Sequence, residues 1–181
     1  MELGKWFDKG LTEAAYIESM RHNKEQLLSI RDRFSLRSSE KAQELAEKNL
    51  RAIVLTADWC GDAMVNLPVF MHIAREGNIK TRYLDRDENL ELMDQYLTNG
   101  TARAIPIIIL IDQYGNEYAR WGPRAEKIQS IVNDRKQALP PKDSPDFGQG
   151  FKDYAEGLKQ LYYSESALWT DIEDDMLRTF C

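Results

Sequence analysis

The stretch Ala52-Ile53-Val54-Leu55-Thr56-Ala57-Asp58-Trp59-Cys60-Gly61-Asp62-Ala63 decides how the chain is read. Leu50 to Ala57 is too short and too rich in β-branched residues for an independent helix, so it predicts a central strand. From Cys60 onward Met64, Leu67, Phe70 or Met71, and Ala74 follow a 3.6-residue period, which places Cys60 at a helix N-terminus. Pro68 falls inside that helix, where it forfeits a backbone hydrogen bond and bends the axis. Unpaired N–H groups and the helix dipole at such an end favour a thiolate, which makes Cys60 a candidate nucleophile. Asp58 and Asp62 bring negative charge close to it and oppose the same ionisation. Trp59 is either a shield for one side of the sulfur or a packing residue, and Gly61 permits close backbone approach.

Downstream, Ile79, Thr81, Tyr83 and Leu84 mark a second strand that stops at Asp85-Arg86-Asp87. Leu90, Met93 or Asp94, and Leu97 predict a short helix ending at Asn99-Gly100. Ile107-Ile108-Ile109-Leu110-Ile111 belongs in a strand buried on both faces, and Pro106 at its start costs no interior ladder bond. Asp112 to Asn116 reads as a hairpin connection, Glu117 to Trp121 as the antiparallel return, and Ile128, Ile131 and Val132 as part of a closing helix. Upstream, Thr12 is a candidate N-cap for one helix reaching about Arg33, and a shorter helix carries Ala42, Leu45 and Ala46.

This order predicts an α/β fold, a central mixed β-sheet flanked by helices. Residues 1–47 form an N-terminal helical extension and 48–141 the core. A segment rich in turn residues then leads into C-terminal helices within 142–181. Those helices carry Tyr154, Leu158, Leu161, Leu168, Trp169, Ile172 and Phe180, too apolar to stand alone in water. They are expected to dock on the core or to build an oligomeric contact.

Composition narrows the function classes. The chain has 181 residues, of which 43% are hydrophobic and 30% charged, enough for one compact domain with additions. No run approaches the roughly 18 apolar residues of a membrane span, and Met1 to Trp6 lacks a secretory pattern, so the expectation is a cytoplasmic protein without a membrane partner. A formal charge of −6 argues against nucleic acid. His22 and His72 lack ligand spacing with the two cysteines, so neither a metal nor a cofactor is expected.

The motif set resembles the thioredoxin superfamily over about residues 48 to 138. Asp58-Trp59-Cys60-Gly61-Asp62-Ala63 is similar to the family's Trp-Cys-Gly-x-Cys, and Pro68 sits where its helix proline does. Ile105-Pro106 resembles the Ile-Pro whose cis proline faces the cysteine, and Gly122 the glycine beside the site. The resemblance implies a thioredoxin-like fold, thiol-disulfide exchange in cell redox homeostasis, Cys60 as the attacking thiol, and substrate contacts from Trp59, Gly61, Asp62, Ile105, Pro106 and Gly122. The chain departs from the pattern at the resolving position, which is Ala63, and at Val54, where the family commonly holds a buried acid.

Several accounts of that departure follow. A single thiol is released by glutathione or another external thiol, with a protein disulfide as partner, or Cys181 resolves the adduct. Alternatively, the Trp59/Pro106 cleft binds protein with weak or lost redox activity, helped by Tyr83, Trp121, Tyr162 and Trp169. A peroxide-reducing enzyme would instead need Thr56 and Arg103 or Arg120 around the cysteine, and transferase chemistry a larger helical domain.

Overall fold

The computed structural model describes residues 2–181; Met1, first in the N-terminal stretch read above, lies outside them. Four strands form one sheet in the order β2-β1-β3-β4: β1 is Arg51–Thr56, β2 Lys80–Asp85, β3 Ile107–Ile111 and β4 Glu117–Trp121. β1 runs parallel to β2 and antiparallel to β3, and β3 pairs antiparallel with β4. The mixed sheet flanked by helices is therefore as the sequence predicts. All five residues of β3 are buried, in keeping with a strand covered on both faces.

The parallel step from β1 to β2 is made by α5, Gly61–Glu76. From Asp62 to Ala74 every residue except His72 is buried. A helix apolar on all sides needs cover on all sides. Around α5 stand α3 (Lys24–Arg33), α4 (Ser39–Glu44), α8 (Phe147–Ser164) and α9 (Ser166–Phe180), so the C-terminal helices dock on their own core. Phe180 meets Phe70 edge-to-face at 6.1 Å between ring centroids. Between these elements lie the short α6, Leu90–Met93, and α7, Glu126–Gln137.

The N-terminal region departs from the single helix expected to reach Arg33. It is three helices, α1 (Leu3–Lys9), α2 (Glu13–Ser19) and α3. Thr12 does cap α2, accepting from the Ala15 N–H at 3.2 Å. The break after Ser19 comes from the site loop. Asp58 accepts from the backbone N–H groups of Arg21 at 2.7 Å and His22 at 3.2 Å, which pulls the chain out of helical geometry, and Asn23 turns left-handed at φ 55°. Leu11 exchanges backbone hydrogen bonds with Tyr83 and so covers part of the outer edge of β2.

Candidate active site

Cys60 is the N-cap of α5, and its sulfur accepts a hydrogen bond from the Ala63 backbone N–H at 3.4 Å. The thiol in turn donates to the Ile105 carbonyl at 3.5 Å. Strand β1 delivers the cysteine to the end of the sheet, and the segment before β3 brings Ile105 and Pro106 against it. The Ile105–Pro106 peptide is cis, as is Gly122–Pro123. Gly122 holds φ at +128°, and a Cβ there would lie 2.1 Å from the Pro106 carbonyl oxygen, so only glycine lets β4 close on the proline loop. Cys60, Ile105, Pro106 and Gly122 are thereby brought together. A pocket of about 220 Å³ lined by Tyr96, Leu97, Thr98, Ile107, Arg120, Trp121 and Gly122 opens beside that loop.

The balance of forces on the thiol differs from what its helix position alone suggests. Cys60 is only 7% exposed. Burial pushes its pKa up to about 11, the Asp62 carboxylate adds to the rise, and the N–H groups of Ala63 and Asp62 offset only part of it. Near neutral pH the resting group is the thiol, its S–H directed at the Ile105 carbonyl oxygen.

Asp62 carries the densest polar geometry of the site. Its carboxylate is gripped by Arg124 through Nε at 2.8 Å and Nη2 at 2.6 Å, and accepts from the Tyr162 hydroxyl at 2.8 Å. Arg124 also donates to Gln129 at 3.0 Å. One turn on, the Asn66 amide donates to the Pro123 carbonyl at 3.1 Å. Tyr162 belongs to α8, whose Lys159 packs 3.1 Å from where a Gly61 Cβ would stand. The C-terminal addition thus overlies the N-terminus of the site helix. Arg124 is the residue that motif reading passes over. The signal for it was the obligation of a carboxylate inside an apolar helix to find a cation.

The remaining candidates fall elsewhere. Trp59 is 47% exposed, with the Arg86 guanidinium 4.9 Å from its ring centroid. The other four aromatics named for a binding surface are buried. Tyr83 stacks on Tyr16, Trp121 donates to Asp175 at 2.7 Å, Trp169 donates to the Tyr162 carbonyl at 2.8 Å, and Tyr162 serves Asp62. Their hydrophobic payload fills the joints between the core and the added helices. Asp58 turns to the N-terminal loop instead of acting as a second acid on the thiol. Thr56 is buried beside the Tyr16 hydroxyl, Arg103 is paired with Asp94, and Arg120 lies over Tyr96, an arrangement unlike a peroxide site. The His72 ring bonds the Arg31 carbonyl.

Cys181 is in no position to resolve an adduct on Cys60 within the folded chain. Its sulfur donates to the Lys41 carbonyl at 3.5 Å, in the region where α4 meets Gly77 at the far end of α5. Sixteen helical residues intervene, roughly 24 Å of axis. Both cysteines are unpaired.

Comparison with known proteins agrees with this architecture. A crystal structure of a Pseudomonas aeruginosa protein of unknown function is 20% identical, with a TM-score of 0.63 over 96% of this chain and 98% of that one. An HIV epitope-scaffold is 18% identical, with a TM-score of 0.61 over 96% and 99%. Both share the fold across the added helices as well as the sheet. Fasciola hepatica thioredoxin is 24% identical over 52% of this chain and 88% of its own, at a TM-score of 0.35. A search of curated protein sequences finds no match. The family model described as thioredoxin matches residues 10–138, a span that takes in the sheet, the Cys60 helix, the Pro106 loop and most of the N-terminal helices; the chain belongs to the thioredoxin family.

Proposed function

We propose that the protein carries out thiol-disulfide exchange with the single thiol of Cys60, as part of cytoplasmic redox homeostasis, and that an external thiol such as glutathione completes each turnover. A substrate disulfide lies along Ile105 and Pro106. Cys60 gives up its proton, and its sulfur attacks one substrate sulfur; the S–S bond breaks and the departing thiolate takes up a proton. An incoming thiol then attacks the mixed disulfide on the substrate sulfur, regenerating the Cys60 thiol and leaving a new disulfide between substrate and incoming thiol. The observation that carries this reading is the contact of the Cys60 sulfur with Ile105 at 3.5 Å, at the head of α5. Two further features support it: no local thiol occupies position 63, and the remote Cys181 lies at the other end of α5.

Insulin reduction tests it. The expected result is a rate that depends on added glutathione and vanishes in Cys60→Ser, with Ala63→Cys gaining turnover under a dithiol reductant. A wild-type rate equal to that of Cys60→Ser refutes it.

A second reading, a protein-docking module built on the Trp59/Pro106 cleft, is favoured by the half-exposed Trp59 next to a thiol that is protonated at rest. In that case Cys60→Ser keeps every interaction that Trp59→Ala loses.

A further inference from the structure

We propose that Asp62 is a positioning residue for Cys60: by holding Arg124 with both oxygens and the Tyr162 hydroxyl with one, it withholds the guanidinium charge from the thiol and fastens α8 over it. This rests on the reading of Cys60 as the reacting group.

The geometry carries the inference. Asp62 stands two residues along α5 from Cys60, is 8% exposed, and is satisfied on both oxygens. A guanidinium beside a buried thiol draws it toward the thiolate. The same guanidinium in a fork-to-fork pair at 2.6 and 2.8 Å presents a charge that is largely cancelled at the sulfur. The other groups around the thiol do not replace it. Tyr16 of α2 is a buried phenol on Thr56, Asp58 is turned to the Arg21 and His22 backbone, and Lys159 of α8 lies along Gly61. On the opposite side the Ile105 carbonyl accepts from the thiol and would face a thiolate with bare oxygen. The electrostatic balance at Cys60 has the same signs, the Asp62 carboxylate raising its pKa and the Arg124 guanidinium lowering it. A buried ion pair adds little stability over an apolar replacement, so the cluster's effect on its neighbour is where its consequence falls.

The experiment is the pH profile of iodoacetamide alkylation in the full chain carrying Cys181→Ser. Asp62→Asn keeps the shape and frees the charge, so the thiol becomes more acidic. Each unit of that fall raises the thiolate about tenfold and, because a more acidic sulfur is a weaker nucleophile, the rate near neutral pH about threefold. Adding Arg124→Gln to Asp62→Asn removes the freed cation and moves the profile back toward that of the parent, short of it by the direct contribution of the lost carboxylate. Tyr162→Phe, which loosens α8 and leaves the ion pair, yields a smaller shift than Asp62→Asn. The inference is overturned by an Asp62→Asn profile that superimposes on the parent, by a double variant that keeps the whole of the acid shift, or by Tyr162→Phe alone producing all of it. Should Asp62→Asn not fold, Arg124→Gln alone is the converse measurement: it leaves the carboxylate unpaired, and the profile must move to higher pH or the inference falls. Alkylation needs no disulfide exchange, so its outcome is read independently of the insulin assay.

Discussion

At Cys60 two local effects oppose each other, and their magnitudes decide the resting state. The N–H groups at the head of α5 stabilise negative sulfur, while 7% exposure and a neighbouring carboxylate penalise it by more. The sign for pH dependence follows. A thiol whose pKa is raised on folding stays protonated above the pH where an exposed cysteine ionises, so alkylation at Cys60 should climb with pH without a plateau below about 11. A stopped-time alkylation series in Cys181→Ser checks this, and a plateau near 9, the ordinary thiol value, contradicts it. Gly122 is the other residue whose role is settled by a single distance. Ala at φ +128° with a Cβ 2.1 Å from a backbone oxygen must move the strand or the proline loop. Strain of this kind costs about 3 kcal/mol or more, so Gly122→Ala should lower the urea midpoint markedly.

Elements behave as the local pattern predicts where their partners are near in sequence, and differently where they are remote. β1, α5, β2 and the β3–β4 hairpin were legible because alternation, apolar runs and turn residues are local signals. The split of the N-terminal helix was not, since its cause is Asp58, more than thirty residues away from the backbone it captures. The same holds for Glu173 of α9. Wholly buried, it accepts from the Arg37 N–H at 2.9 Å and the Ser38 N–H at 2.8 Å, and so ties the C-terminal helix to the segment before α4. Glu173→Ala leaves two backbone donors without a partner and should cost about 2 to 3 kcal/mol in urea denaturation. A loss of under half that would mean that water replaces the carboxylate.

For the whole molecule, the cysteine, the proline loop and Gly122 could be read from motifs, whereas the state of the thiol could not. That state is set first by burial and by Asp62, whose partners Arg124 and Tyr162 lie 62 and 100 positions away from it. α8 and α9 bury Leu158, Tyr162, Leu168, Trp169, Ile172, Met176 and Phe180, largely against α5, β4 and each other. They supply one side of the core's cover. A chain ended at residue 141 should therefore bind a hydrophobic dye and lose cooperative unfolding; a monomeric fragment with a sharp transition would show the C-terminal helices to be dispensable.

The central claim is that Cys60 is an exchange thiol resolved from outside. Its most direct test is intact-mass analysis of the Cys181→Ser protein after incubation with glutathione disulfide, followed by added glutathione. The account predicts one mixed disulfide, mapped to Cys60, absent in Cys60→Ser, and reversed by the added thiol; a chain that stays unmodified at mildly alkaline pH while remaining folded would contradict it.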